Sequence, residues 1–354
     1  MRVAGRGFKL VAWLAPAALA GALQAGVEAL GPVALEGRLH EARDLSAATV
    51  TAGGLLLVAS DEDARIQLLD PLPGRRAYEA RSTAILLHGE DEEIDLEALA
   101  RSGDVVYALG SHSLVRPLPE PDASHEQNRQ RIAAVRHSVA RDSLFRLRLD
   151  AKGSVVAPVA SISLRPVLER DPLLAPFCRV PGKENGVDLE GLAVLERRLF
   201  VGFRSPVLRS GHVPVMVLAF DSPRDYELRF LDLDGSGVRD FHAVEGGLLV
   251  LTAPPGGGAA IFFWDGRDRL PGRDRSPGRL ERLGSFAVPS GAAAEGLALV
   301  RETAAAWEAI VVHDGTREAT LVRIARPPGT ETGRRPATGS DPEPPPDAAA
   351  GVDP

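Results

Sequence analysis

Cysteine is almost missing: Cys178 is the only one in 354 residues. That excludes an internal disulfide framework and any multi-thiolate metal site, and leaves Cys178 as a buried, incidental thiol. Positive charge is not in excess either, because the formal net charge is −7. A nucleic-acid partner is therefore disfavoured, since phosphate binding needs a concentrated basic face. Helical periodicity is scarce, its best stretches being His125–Val139 and Arg165–Leu174. A serine nucleophile elbow, an HExxH pair and a CxxC pair are all lacking, which removes the commonest sequence signatures of hydrolases, zinc peptidases and thiol redox proteins. Long apolar runs are absent too. The one near the N-terminus, Leu10–Ala20, falls short of the roughly 20 residues a membrane span needs.

What is present is ordinary for a globular domain, with 44% hydrophobic and 25% charged residues. Arg2, Arg6 and Lys9 precede the Leu10–Ala20 run, whose end is rich in alanine. A positive flank, an apolar middle and a small-residue exit form the layout of an export signal. Residues 1–25 are thus expected to be a signal peptide, with a retained anchor or a buried helix of the domain as the alternatives. The mature chain, without a membrane span, is then periplasmic or secreted. Residues 327–354 are rich in Pro, Gly and Asp, with Val352 their only large aliphatic side chain. They cannot bury enough apolar surface to offset ordering entropy, and are expected to be a disordered tail. The folded domain is expected over 31–326.

Within that domain one phrase recurs. Asp188-Leu-Glu-Gly-Leu has relatives at Asp44-Leu-Ser-Ala-Ala, Asp95-Leu-Glu-Ala-Leu, Asp240-Phe-His-Ala-Val and Ala293-Ala-Glu-Gly-Leu. Each is followed, after a short turn, by a second apolar run: 55–59, 105–109, 199–203, 248–252 and 309–312. The starts at 44, 95, 188, 240 and 293 are separated by 51, 93, 52 and 53 residues. Segments 64–70, 143–149 and 320–324 then alternate apolar and polar residues, the period of a half-buried strand. A repeat near 50 residues with about four short strands per unit indicates an all-β fold, a β-propeller of five or six blades. The long interval holds either short helical insertions or a sixth, degenerate unit. Leu35–Leu39 is expected to pair with the last unit and close the ring; a β-sandwich pair or an open solenoid is the alternative.

If each phrase begins a channel-lining strand, Asp44, Asp95, Glu97, Asp188, Glu190, Asp240, His242 and Glu295 converge on one mouth. Like charges gathered in a partly buried funnel need a cation or basic side chains to compensate them. Oxygen-rich surroundings suit Ca²⁺ or Mg²⁺, which would make Asp95, Asp188, Asp240 and Glu295 candidate metal ligands and Glu97 and Glu190 candidate catalytic acids. The structural alternative has the aspartates accepting backbone hydrogen bonds that lock blade to blade. Two further stretches break the apolar pattern just after a second strand: Gly110-Ser111-His112-Ser113 and Phe203-Arg204-Ser205-Pro206-Val207-Leu208-Arg209. Loops at one rim are a usual place for binding residues. His112 is a candidate base or ligand, Ser111 and Ser113 candidate substrate contacts, and Arg204 and Arg209 candidate anion clamps. The alternative for the arginines is to neutralise the acids. Asp232-Leu-Asp-Gly-Ser-Gly237 begins like a calcium loop, but its twelfth position is Ala243 rather than Glu, so a hairpin turn is expected. Gly256-Gly257-Gly258 reads as a loop.

The paired phrases "DLEALA…VVYALGSHS" and "DLEGLAV…RLFVGFRSPVLRSG" resemble those of an uncharacterised bacterial family, a domain of unknown function with GSHS and EGLA/GxRxPVLRG motifs. The resemblance spans roughly 40–325. The EGLA phrase is more distantly similar to the esterase-like domain of phytases. Phe203 stands where a smaller aliphatic residue is usual. The resemblance implies a β-propeller and marks Asp95, Glu97, Gly110, Ser111, His112, Ser113, Asp188, Glu190, Gly191, Arg204, Pro206 and Arg209, without implying a reaction. Two functions are expected: a binding or scaffold module at the cell envelope, whose partner is a small anionic molecule or an envelope protein, or a metal-assisted hydrolase of phosphate or carboxylic esters.

Overall fold

The computed structural model describes residues 26–89, 93–254 and 257–330. The proposed signal, nearly all of the proposed tail, and Pro255 and Gly256 lie outside the described residues. A strand β1 (Val27–Glu36) precedes twelve strands in three four-stranded antiparallel sheets and seven more that complete the ring. The first blade is β2 (Leu45–Val50), β3 (Leu56–Ser60), β4 (Arg65–Pro71) and β5 (Ala77–Leu86). The second is β6 (Leu96–Ser102), β7 (Val105–Gly110), β8 (Leu144–Arg148) and β9 (Ala160–Ile162). The third is β10 (Asp188–Leu195), β11 (Arg198–Ser205), β12 (His212–Ala219) and β13 (Ser222–Asp232). The fourth is β14 (Asp240–Val244), β15 (Gly247–Thr252), β16 (Ala259–Trp264) and β17 (Leu280–Phe286); the fifth begins with β18 (Ala293–Glu302), β19 (Ala306–Asp314) and β20 (Ala319–Ala325).

The fifth blade takes its outer strand from the other end of the chain. Val27–Val33 of β1 pairs antiparallel with β20, and the same strand then runs Ala34–Glu36 parallel to Ala77–Glu79 of β5. The first strands of successive blades touch in the order β2, β6, β10, β14, β18 and back to β2. This is a closed five-bladed β-propeller. Ring closure through the N-terminal strand matches the sequence expectation in kind but not in residues: Val27–Val33 pairs with the last blade, while Leu35 faces Tyr78 of the first.

The long interval is insertion, not a sixth blade. Residues 111–143 leave blade two between β7 and β8, carrying α1 (His125–Ala133), and residues 163–187 link β9 to β10, carrying α2 (Arg165–Leu168). The helix α1 is set by a capping box in which Ser124 and Gln127 satisfy each other's backbone N–H groups. None of its residues is buried, and it ends at Ala133, short of the Val139 expected from the sequence. Both insertions emerge at the channel mouth where Asp95 and Asp188 lie, because Leu96 pairs with Gly110 and Leu144 with Ile162.

The core is a set of layers between blades rather than one centre. Ala47, Leu57 and Ile66 of blade one pack with Leu96, Val106 and Phe145 of blade two, and Leu249 and Phe263 of blade four pack with Leu297 and Trp307 of blade five. The Phe263 and Trp307 rings stack at 6.3 Å. Strands buried on both faces explain why the second runs read as continuous apolar stretches.

Candidate functional site at the funnel mouth

The opening of each inner strand is irregular in one specific way. The pairing register shifts between Leu45 and Ala47, Leu96 and Ala98, Leu189 and Gly191, and Ala294 and Gly296. The residues left unpaired are Ser46, Glu97, Glu190 and Glu295. A bulge frees one residue from the ladder and re-aims its side chain. In blade four Asp240 pairs with Leu251, and the N–H of Arg239 bonds the same Leu251 carbonyl. Arg239 thus takes the bulge position, and the inner tier reads Ser46, Glu97, Glu190, Arg239, Glu295. At or just past the ends of the second strands stand Asp61, Ser111, Arg204, Ala253 and Asp314.

These tiers form one mixed-charge network. Glu190 is 1% exposed and is held from both sides: Arg204 Nη1 donates to Oε1, and Arg239 Nη1 donates to Oε2 at 3.0 Å. Arg204 Nη2 also reaches Asp188 Oδ2 at 3.1 Å, and Arg239 Nη1 also donates to Glu295 Oε2. Burial opposes charge on Arg204, but Glu190 and Asp188 outweigh it and keep the guanidinium firmly protonated. The carboxylates carry the cost. Burial raises Asp188 to about 7 and Glu295 to about 8, against the opposing pull of Arg204 and Arg239 respectively. Glu97 is driven well above the usual carboxylate range by burial, then by Glu190 and Asp95. Among the described residues, Glu97 makes no hydrogen bond or ion pair.

On the blade-two side, Asp95 accepts from Arg141 Nη1 at 2.8 Å and from Ser113 Oγ at 3.4 Å, and the Ser111 and Ser113 hydroxyls lie 2.9 Å apart. Arg141 also bonds Glu93. Asp95 (φ 58°) and His112 (φ 55°) both hold left-handed backbone, a conformation that costs about 1–3 kcal/mol and clusters at functional sites. Main-chain bonds from Ser111 N–H to Asp95 O and from His112 N–H to Arg141 O maintain it.

The sequence-predicted residues divide. One carboxylate oxygen from each of Glu97, Asp188 and Glu190 lies within 4.8 Å of the others, an oxygen donor set that fits a hard cation such as Ca²⁺ or Mg²⁺. Glu295 is on the same network through Arg239, and Asp95 is occupied by Arg141 and Ser113. Asp240, expected to be a metal ligand, is fully buried, and its oxygens accept the backbone N–H groups of Phe241 and Leu297, each at 2.7 Å. It therefore clips blades four and five together.

His112 corrects the base expected from the sequence. It is fully buried, its Nδ1 bonds Gly110 O at 2.8 Å, and its Nε2 accepts the Leu164 N–H at 3.1 Å. With both nitrogens on main chain, and its pKa lowered by burial to about 4, it holds the second insertion rather than exchanging protons. Arg165 reinforces that strut by donating to His112 O and pairing with buried Asp142. Arg209 is exposed on the turn between β11 and β12 and pairs with no acid among the described residues. Asp232–Gly237 joins β13 to β14 between blades instead of forming a hairpin.

Sequence reasoning missed Arg239, Arg141, Asp61 and Asp314. Aligning Asp240 on Asp188 hid Arg239, because Val238 takes the place of Leu189: the Val238 N–H crosses to Phe203 O of the preceding blade as the Leu189 N–H crosses to Ser111 O. Two open grooves lie outside the ring, one lined by Glu227, Arg229, Arg267 and Asp268 and one by Leu68, Arg81, Thr83 and Lys152; neither includes a funnel residue.

Fold and site together define a five-bladed β-propeller with a mixed-charge funnel covered by insertions from blade two. The chain belongs to the family described as protein of unknown function (DUF3616), whose model matches residues 44–324. No curated protein matches it. Among solved structures it is similar to the glutaminyl cyclase of Myxococcus xanthus, at 8% identity and a TM-score of 0.47, covering 84% of this chain and 96% of that one. It is also similar to the PQQ-bound aldose sugar dehydrogenase of Streptomyces coelicolor, at 13% identity, a TM-score of 0.37 and coverage of 85% and 98%. A third is virginiamycin B lyase of Staphylococcus aureus, at 10% identity, a TM-score of 0.34 and coverage of 86% and 75%. Likeness this distant says nothing about reaction.

Proposed function

We propose that the protein is an exported, non-catalytic binding module of the cell envelope, and that the funnel mouth is its ligand seat. One observation carries this reading: Glu190, buried and gripped between Arg204 and Arg239, is linked through Arg239 to Glu295, so that blades three, four and five are tied into a rigid pre-organised mouth in which Glu97 keeps a carboxylate without a partner among the described residues. Export rests on the positive flank and the Leu10–Ala20 run; among the described residues no helix is long and apolar enough to cross a membrane. His112, with both ring nitrogens bonded to main chain, is not placed to transfer protons at the mouth.

The second reading, a metal-assisted ester or phosphoester hydrolase, draws support from the approach of Glu97, Asp188 and Glu190. Assaying the purified full chain against carboxylic ester, lactone and phosphoester substrates separates the two. The binding module gives no turnover with or without added divalent cation. Turnover that is abolished by Glu190→Gln would replace it with the hydrolase. Fractionation of cells expressing the tagged chain tests export; a purely cytosolic product would remove the envelope role.

A further inference from the structure

The funnel is short of positive charge, and the shortage is local. Around its mouth stand Asp44, Asp61, Asp95, Glu97, Asp188, Glu190, Glu295 and Asp314, whereas among the described residues the guanidinium groups that pair with any of them are Arg141, Arg204 and Arg239. The arginines at the tier positions come from blades three and four. The wall from blades five, one and two presents acids and serines, together with Arg141, which is already paired with Asp95 and Glu93. An independent sign of the deficit comes from that wall. Asp61 Oδ1 is buried and accepts no hydrogen bond among the described residues, and the charges of Asp95, Glu62, Asp314 and Asp44 all oppose its ionisation. A carboxylate oxygen removed from water without a donor or a cation is costly, and in the inner tier itself Glu97 stands among Glu190, Asp95, Asp188 and Glu295 with no guanidinium bonded to it among the described residues.

Resting on the reading of the funnel as a ligand seat, we propose that its guest is a divalent cation of the Ca²⁺ type, held by Glu97, Asp188 and Glu190. Three carboxylate oxygens within 4.8 Å of one another can share one ion. Glu190 and Asp188 can do so while still bonded to the arginines, because each carboxylate oxygen has more than one lone pair. Glu97 is the added ligand that no arginine claims. Ca²⁺ suits the seat better than Mg²⁺, since it accepts irregular sets of six to eight oxygens, water included, while Mg²⁺ demands near-ideal octahedral geometry. The neighbouring guanidinium groups weaken the field, so affinity belongs with that of extracellular modules, about 10⁻⁴–10⁻³ M. Millimolar Ca²⁺ outside the cytoplasm would then keep the mouth filled.

The experiment uses the full chain freed of metal by chelation, with CaCl₂ and MgCl₂ as probes in calorimetric titration and thermal melting at neutral pH. The expected result is a saturable heat and a rise in Tm with Ca²⁺, smaller with Mg²⁺. In Glu97→Gln the affinity should fall by at least about tenfold, while the metal-free Tm rises because an uncompensated carboxylate is gone. Glu227→Gln on the outer groove should leave the titration unchanged. A folded wild-type chain giving neither heat nor a Tm shift overturns the proposal, and so does a Ca²⁺ effect that Glu97→Gln leaves intact. Those outcomes are separate from the assay above: absent turnover with absent Ca²⁺ binding removes the cation and keeps the binding module, whereas Ca²⁺ binding with ester turnover does the reverse.

Discussion

At the scale of single residues the mouth shows how a polar centre is made tolerable. Glu190 has two arginine partners, and removing it would leave Arg204 and Arg239 partly buried with a shared acceptor missing. Breaking a buried pair from one side costs about 3–5 kcal/mol. Glu190→Ala is therefore expected to lower unfolding free energy by that order, read as a shift of the urea midpoint at constant slope. Asp61 has the opposite character. Burial, followed by the charge of Asp95, raises its pKa from near 4 to about 7 in the folded protein. Between those values the folded state holds more protons than the unfolded one, so this group's contribution to stability is fully present below the unfolded value and is lost as pH rises to about 7. Asp61→Asn should accordingly melt above wild type by a margin that opens between pH 4 and 7 and is flat beyond it. Thermal melts in chelator across that range check it; a constant margin would remove Asp61 as the source.

At the scale of elements, the blades depend on close approach at a few glycines. A Cβ on Gly237 would lie 1.9 Å from Arg204 O, and one on Gly202 would lie 2.6 Å from the Phe241 ring. The first clash is with backbone, which cannot rotate away. Gly237→Ala should cost about 1–3 kcal/mol or more as overpacking and displace the strand end that carries Arg204. The check is a pair of measurements, the denaturation midpoint and the ligand titration, both expected to worsen. The inner strands were legible from the sequence because the acid-apolar phrase recurs at nearly constant intervals. The bulges were not: Ser46, Glu97, Glu190 and Glu295 look like ordinary alternate strand positions until the pairing register is known. Arg239 was hidden for the same reason, since its role follows from the hydrogen bond to Leu251 O rather than from any motif.

At the scale of the whole molecule, stability rests on closing the ring. Val27–Val33 covers β20 and the same strand continues against β5, so the first and fifth blades are joined through one segment. Deleting residues 27–33 would expose β20 as an unpaired edge, a template for pairing with another chain. The shortened protein is expected to melt lower and to elute as oligomers in size-exclusion chromatography; a monomer with wild-type Tm would show that closure is dispensable.

The amino-acid sequence by itself determined the repeating strand units and the equivalent positions of Asp188, Glu190, Glu97 and Glu295 within their units, because these follow from local periodicity and a nearly fixed repeat length. Five blades rather than six, closure by Val27–Val33, the commitment of His112 and Asp240 to main-chain groups, and the grip of Arg204 and Arg239 on Glu190 were decided only by tertiary structure. Those features depend on which donors meet which acceptors across blades, and contacts between residues some 50 positions apart leave no local trace in a single chain.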